Sequence, residues 1–528
     1  ITGEEPVKGV LMNLDGKNGE FRLFAPDFPD WIEDDGVGIK LAPDTRTSSI
    51  MKKVMQGLEK NEPLFQLFEQ LHAANPVAAS PAPIAIPSLD FRNKKLNASQ
   101  QQAVAAVVQN ENICIVHGPP GTGKTTTLIE AILQLIKAGE KVVVSAPSNT
   151  AVDHLAKGLI QQGVNLLRVG NISKVDEQIF AHTPEGKLKT SNAQKEIKQL
   201  KIRAEEFRKM ALKYKRSFGK AEREQRSLLF KEVKNIRTEI KKLQAYNEEK
   251  LFAEATVIAG TPIGLYDAGI NHLHFQTLVI DEAGQCMEPL AWCIFPLADK
   301  IVLAGDHWQL PPTVLSREAA ILGFNVSILE RAISKTSNVI LLNTQYRMRQ
   351  AIAGFSSHYF YTNLLHTAEH LQNTGVHLTF IDTAGSGYNE KHGPDGSSLQ
   401  NEGELAIVQK IMETETLDPL TTAFISPYAG QVSAAKELLP KQLRISTIDS
   451  FQGQEKEAIV LSLVRSNDEG EIGFLKDYRR MNVAMTRAKE QLFVIGDSAT
   501  IGADPFYNKF LTYVEEHGTY RTVWEFEL

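Results

Sequence analysis

The sequence predicts an α/β chain with two parallel-sheet domains in tandem, and three observations carry that prediction. Gly118-Pro-Pro-Gly-Thr-Gly-Lys-Thr125 fits the phosphate-loop pattern G-x-x-x-x-G-K-[ST]; the apolar run Ile113-Cys-Ile-Val116 precedes it, and Thr125 to Ile136 follows with apolar residues at helical spacing. Short β-branched runs then alternate with helical patterns, as expected for strands buried on both faces of a parallel sheet. These runs form two series, and only the first carries a phosphate loop.

Taken in order, residues 1 to about 45 read as β-rich, with Val10–Leu14 and Phe21–Phe24 flanking a hairpin turn at Asp15–Gly19. Residues 48–74 carry Ile50, Val54, Leu58, Leu64, Leu67, Phe68 and Leu71 at helical spacing, with Pro63 interrupting or restarting the helix. Pro76, Pro81, Pro83 and Pro87 mark an extended linker. Residues 1–87 thus form an accessory β and stalk module. Residues 88–334 form a first α/β domain, with strands at Lys141–Ser145, Thr277–Ile280 and Lys300–Leu303. Residues 174–252 interrupt it as a helical insertion. Residues 335–528 form the second domain, with strands at Val339–Leu342, Leu378–Ile381, Thr422–Ile425, Ala458–Leu463 and Gln491–Ile495.

The chain has 528 residues, too many for one hydrophobic core, and its 42% hydrophobic and 23% charged composition is that of a globular protein. No apolar stretch reaches membrane-span length and no signal peptide is evident, so no membrane partner is expected. The chain opens on Ile1, so its true N-terminus is expected to lie outside it. Cys114, Cys286 and Cys293 lie in or beside apolar runs without a CxxC pair, which points to neither zinc nor disulfides and suits a reducing cytoplasm. Net charge is −6, yet residues 187–250 hold twenty basic and nine acidic residues, a local excess of +11. That segment is either a solvated helical hairpin or a surface that faces nucleic acid.

A strand feeding a glycine-rich turn into a helix N-terminus aims several backbone N–H groups at one point, a nest that attracts polyphosphate. Gly118, Pro119, Pro120, Gly121, Thr122, Gly123, Lys124, Thr125 and Thr126 are the nucleotide-binding candidates, with Lys124 reaching the β- and γ-phosphates and Thr125 holding Mg²⁺. Asp281 and Glu282 stand at the end of a buried strand, where open α/β sheets bind ligands. Asp281 suits the magnesium shell and Glu282 the attacking water. Gln309, after the next strand, can bond either the γ-phosphate or that water. Arg347 and Arg487 lie in the series without a loop; a guanidinium fork stabilises charge on γ-phosphoryl oxygens better than an ammonium does. Tyr346 offers a ring for a base.

Together these motifs resemble superfamily 1 helicases, and within them the nonsense-mediated-decay, immunoglobulin-mu-binding and Sen-type branch. The resemblance covers roughly residues 88 to 500 with the motifs in family order. Leu96-Asn-Ala-Ser-Gln100 is similar to the adenine-reading Q motif, which implies that Gln100 contacts the base. Gly118–Thr125 and Asp281-Glu282-Ala-Gly284 resemble motifs I and II, and Gly305-Asp306 through Gln309 resembles motif III. Gln345-Tyr346-Arg347-Met348 resembles motif IV, implying adenine stacking by Tyr346 and γ-phosphate contact by Arg347. Ser446 through Glu455 resembles motif V, with Glu455 near the ribose, and Asn482–Ala488 resembles motif VI, with Arg487 as the finger.

The same resemblance implies two tandem RecA-like domains and a set of strand contacts. Ala146–Thr150 looks like motif Ia and Ala259–Pro262 like motif Ic. They bring Pro147, Ser148, Asn149, Thr150, Gly260 and Thr261 to the phosphodiester backbone, and Pro427, Tyr428 and Thr447 do so from the second domain. It also implies a β-barrel on helical stalks and a helical insertion, which residues 1–75 and 174–252 match in position. The expected activity is ATP- and Mg²⁺-dependent 5′→3′ movement of a monomer on single-stranded RNA or DNA, with duplex unwinding. Two other readings stay open: a nucleic-acid-stimulated ATPase that strips proteins without unwinding, and an ATP-dependent binding switch.

Overall fold

The architecture is that of a computed structural model, which describes residues 7, 9–15, 18–23, 38–40, 45–74, 89–171, 174–190, 192–212, 220–314, 316–372, 375–393, 396 and 398–526. Two fully parallel sheets dominate. The first has seven strands in the spatial order Leu166–Arg168, Val257–Gly260, Val142–Ser145, Phe275–Ile280, Ala298–Gly305, Ile113–His117 and Val339–Leu341. The second has six, in the order Arg444–Thr447, Thr422–Ser426, Lys456–Ser462, Ala488–Gly496, Leu378–Asp382 and Thr519–Thr522. Val142, Val143 and Val144 have no solvent exposure, nor do Val257 and Ile258 beside them, because helices cover both sheet faces. Each such side chain contributes on the order of 1.5–3 kcal/mol.

Val339–Leu341 corrects the sequence-based grouping. It hydrogen-bonds in parallel to Ile113–His117 as the edge of the first sheet and takes no part in the second. Its carboxyl end therefore points the same way as the end of Ile113–His117, where the phosphate loop begins. Four strands of these two sheets escaped sequence reading: Leu166–Arg168, Val257–Gly260, Arg444–Thr447 and Thr519–Thr522. The first two are neighbours in the sheet but flank the helical insertion in sequence.

That insertion is helical as expected, through Pro184–Thr190, Asn192–Leu212 and Lys220–Glu254. The two long helices pack on each other through Ile197, Ala204, Ile236 and Ile240. Lys198, Lys201, Arg203, Lys231, Lys234 and Arg237 stay exposed.

Near the N-terminus, strands Gly9–Asp15 and Asn18–Leu23 pair antiparallel, while turn residues 16–17 lie outside the described residues, as does Phe24. Pro63 restarts a helix: Arg46–Gly57 gives way to a short 3₁₀ turn, and Glu62–His72 begins with the Asn61 side chain capping the Leu64 N–H at 3.5 Å. The proline-rich linker lies outside the described residues. Among those described, no helix is long and apolar enough to cross a membrane.

Candidate active site

Because every strand of the first sheet runs the same way, the loops after Ile113–His117, Phe275–Ile280, Ala298–Gly305 and Val339–Leu341 emerge at one edge. Glu455 and Arg487 precede strands Lys456–Ser462 and Ala488–Gly496, so they lie at the amino edge of the second sheet. The two edges meet. Pro427 and Thr447 follow or end their strands, at the opposite edge of that sheet.

The phosphate loop turns through Gly121 (φ 77°) and Gly123 (φ 73°), backbone states that side chains rarely tolerate, and delivers helix Lys124–Lys137. Lys124 Nζ sits 2.8 Å from Asp281 Oδ1 and 2.7 Å from Glu282 Oε1. Burial alone would lower its pKa, but the two carboxylates override that and hold it above the ordinary lysine value. Glu282 adopts φ 52°, a costly left-handed state for a non-glycine residue, and its N–H bonds back to Asp281 Oδ1 at 2.8 Å. Strained geometry of this kind gathers where function over-determines the backbone. The positive-φ glycines, the helix N-terminus and the lysine paired with two carboxylates fit a magnesium–polyphosphate group. Lys124, the loop amides, Thr125 and Asp281 are the groups that would hold it.

Gln100 is buried and supports the loop through both ends of its side-chain amide. Its oxygen accepts from Asn97 N–H at 3.0 Å in a capping box, and its Nε2 donates to the Thr122 carbonyl at 3.0 Å. Tyr346 packs its backbone on the loop, N–H to the Gly121 carbonyl at 2.8 Å, while the residue stays 43% exposed and its hydroxyl accepts from Asn97 Nδ2 at 2.8 Å. Arg347 pairs through Nε with Glu455 at 2.5 Å and donates to the Thr486 carbonyl at 3.2 Å. Glu455 also meets Lys489 at 3.2 Å. Burial would raise the Glu455 pKa, but Arg347 and Lys489 hold it below the usual range. Arg487 is buried. Its Nε donates to the Val483 carbonyl and its Nη2 to Gln309 Oε1, both at 3.0 Å. Burial and the neighbouring Arg347 charge lower its pKa to about 10.

Gln309 Nε2 in turn donates to Asp306 Oδ2 at 3.0 Å. Asp306 is buried and receives three more donors: His117 Nε2 at 3.0 Å, the Trp308 N–H at 3.0 Å and the Tyr361 hydroxyl at 2.7 Å. Burial would raise its pKa, but the bonds from His117, Tyr361 and Gln309 hold it below the ordinary value, so it is an ionised acceptor. Asn482 Nδ2 donates to the Trp308 carbonyl at 2.8 Å and to the Tyr361 oxygen at 3.1 Å. Tyr361 had no sequence signal; it ends the aromatic run His358-Tyr-Phe-Tyr361, which reads as helix packing. A further contact across the cleft, also unread in the sequence, is the bidentate pair of Arg479 with Glu330 at 2.9 and 3.2 Å.

The strand-contact candidates lie at strand ends, in the turns after them and at helix starts, and one of them needs correction. Ser148 caps helix Asn149–Gln161, and Thr261 caps the short helix Pro262–Asp267. Pro147, Asn149 and Thr261 are half-buried and Thr150 is exposed, while Gly260 is buried at its strand end. Buried Arg168 steadies Asn149, donating to its Oδ1 at 2.9 Å while pairing with Asp153 at 2.6 Å. Tyr428, by contrast, is only 3% exposed, and its ring lies 5.6 Å from that of Phe474. Its side chain packs in the protein and presents almost no surface to a ligand. Pro427 and Thr447 are half-buried, with the Thr447 hydroxyl bonded to Ser450 at 3.0 Å.

Residues 95–317 and 324–499 each match an AAA domain family. The chain is 35% identical to the DNA-binding protein SMUBP-2 of Mesocricetus auratus over 92% of its own length, and 32% identical to the DNA polymerase alpha-associated DNA helicase A of Schizosaccharomyces pombe over 82%. It spans 51% of the former and 68% of the latter. An uncharacterised ATP-dependent helicase of Methanocaldococcus jannaschii is 30% identical, with 95% of this chain and 83% of that protein aligned. The chain thus spans about half the length of the first of these relatives.

Proposed function

The chain belongs to the superfamily 1 helicases of the nonsense-mediated-decay and immunoglobulin-mu-binding branch, and from that premise we propose that it hydrolyses ATP in the cleft between its two sheets to step 5′→3′ along single-stranded RNA or DNA, separating duplexes as it goes. One observation carries the proposal. Gln309, after a strand of the first sheet, bonds Asp306 on its own side and Arg487 from the second, so a phosphate-sensing position is wired directly to an arginine across the cleft.

In this reading Lys124 exchanges its carboxylate partners for phosphate oxygens, and the amides of Gly121–Thr125 complete the cradle. Bound Mg²⁺, held by Thr125 and Asp281, would neutralise charge on the β- and γ-phosphoryl oxygens. Glu282 orients the attacking water. Arg347 and Arg487 stabilise the charge that builds on the γ-phosphoryl group. Tyr346, with its exposed side chain, stacks the base, Gln100 contacts the base edge while bracing the loop, and Glu455 serves the ribose.

Closing the cleft on ATP and reopening it after hydrolysis changes the separation of the two strand-gripping edges. Pro147–Thr150, Gly260 and Thr261 grip from the first sheet, and Pro427 and Thr447 from the second. The exposed basic helices of the insertion add non-specific attraction. The protein works as a monomer in a reducing cytoplasm, which suits its three buried, free cysteines.

The test is strand displacement on duplexes with 5′ or 3′ single-stranded tails, with ATPase rates measured on matched RNA and DNA at several salt concentrations. Displacement of 5′-tailed duplexes supports the reading. ATPase activity with no displacement on either tail reduces it to an ATPase that strips bound proteins. Lys124→Ala should abolish turnover while single-strand binding survives, and full turnover in that variant would refute the site.

A further inference from the structure

We propose that Tyr361 is a positioning residue for hydrolysis. From the second sheet's side of the cleft its hydroxyl fixes Asp306, and through Asp306 it sets Gln309 and Arg487. The proposal rests on the ATPase reading above.

Asp306 Oδ2 has two side-chain donors, Gln309 Nε2 at 3.0 Å and the Tyr361 hydroxyl at 2.7 Å. These donors come from opposite sides of the cleft. Gln309 belongs to the loop after strand Ala298–Gly305, and Tyr361 ends helix Gln350–Phe360, which packs in the core of the second sheet. Tyr361 also accepts from Asn482 Nδ2 at 3.1 Å, and Asn482 lies on helix Tyr478–Met485, five residues before Arg487. One phenol oxygen therefore ties the aspartate of one side to the helix that leads into Arg487 on the other.

The chemistry makes the bond directional. Burial and the nearby Asp306 charge hold the Tyr361 phenol well above its ordinary pKa, so it is protonated and must donate to Asp306. A hydroxyl given to a buried carboxylate is a strong charge-assisted bond. Losing it leaves Gln309 as the remaining side-chain donor to Oδ2. The Gln309 amide would then be free to follow Asp306 as it relaxes, rather than stay aimed at Arg487. Tyr361 is itself 3% exposed and bonds no phosphate-loop residue, so it acts through others.

Tyr361→Phe keeps the ring and deletes only the hydroxyl. With saturating single-stranded oligonucleotide, kcat is expected to fall about tenfold or more while KM for ATP stays within about twofold. Tyr361→Phe combined with Gln309→Ala should be no slower than Gln309→Ala alone, because the two act along one path. Hydrogen exchange supplies a readout that needs no turnover. The Trp308 N–H donates to Asp306 Oδ1 at 3.0 Å, so its protection, and that of Gln309, should drop in Tyr361→Phe. An unchanged kcat, a KM effect alone, additive losses in the double variant, or unchanged exchange at Trp308 and Gln309 would each overturn the assignment. If the parent protein does not hydrolyse ATP, the functional reading falls, and the exchange measurement still decides whether Tyr361 positions this loop.

Discussion

Arg487 donates to Gln309 at 3.0 Å although 178 residues separate them in the chain, and it spends its Nε on the Val483 carbonyl of the helix just before it. The guanidinium thus has one anchor at home and one across the cleft. An ammonium offers a point charge without that fork. Arg487→Lys is expected to cut kcat by about 100-fold with little change in KM for ATP, since the loss falls on charge that develops during hydrolysis. Steady-state ATPase with saturating single strand measures this. A matching rise in KM with kcat preserved would show that Arg487 serves ground-state binding instead.

Glu330 and Arg479 form a bidentate pair between the same two halves, with both side chains 31% exposed. Such a pair is worth about 0.5–1 kcal/mol and weakens as salt rises. Glu330→Arg should lower the ATPase rate a few-fold at low salt by setting like charges against each other. The swapped variant, Glu330→Arg with Arg479→Glu, should recover most of the rate. If the swap fails to recover it, the pair is not what aligns the halves.

Much of the site was readable because its chemistry is punctuated. The loop glycines, Asp281-Glu282 after a β-branched run and the arginine motifs each combine a turn signal with a charged group. What could not be read depends on partners distant in the chain. Leu166–Arg168 and Val257–Gly260 are three and four residues long, and their pairing spans the whole insertion. Val339–Leu341 follows a helix and a loop, so nothing local reveals that it bonds Ile113–His117. That edge pairing is nevertheless what carries Tyr346 and Arg347 to the phosphate loop. Tyr428 is a strand contact only by the family resemblance, and no local residue signals that its side chain is buried. The backbone at Gly473 lies close against it: an added Cβ there would lie 2.3 Å from Arg465 Nη1 and 3.0 Å from the Tyr428 hydroxyl.

Glu404 gives a pH prediction away from the nucleotide. It has no exposure, and burial pushes its carboxyl up to about 8 despite bonds from Ser462 and Val464. Both of its oxygens accept the Val464 N–H at 3.0 Å, and Val464 holds φ 73°, an unfavourable state for a β-branched residue. The native state keeps a proton up to about 8 that the unfolded chain releases above its ordinary value of 4.5. Glu404 therefore stabilises most at and below that ordinary value. Its contribution is lost as pH rises toward 8, at up to about 1.4 kcal/mol per unit. Glu404→Gln mimics the protonated form, so the stability of the parent relative to this variant should decline across that window in urea melts. A difference that stays flat with pH would mean that Glu404 is ionised in the native protein.

The closest approach of the two motifs supplies the last prediction. A Cβ added at Gly121 would lie 2.6 Å from Arg347 Cβ and 3.3 Å from Arg347 N. Neither atom can rotate away, because both are fixed by the backbone. In Gly121→Ala the Tyr346–Arg347 segment must retreat, breaking the Tyr346 N–H to Gly121 carbonyl bond of 2.8 Å and carrying the arginine off the loop. The variant also strains φ 77°, which costs about 1–2 kcal/mol by itself. Gly139→Ala separates the two effects, since Gly139 has φ 89° but an added Cβ there meets nothing within 4 Å. Gly121→Ala is expected to lose about 100-fold in kcat while nucleotide binding falls only a few-fold, because the loop amides remain. Gly139→Ala should lower the melting temperature by a similar amount and leave kcat near the parent value. Equal losses of kcat in the two variants would trace the effect to backbone strain and separate Arg347 from the phosphate loop's chemistry.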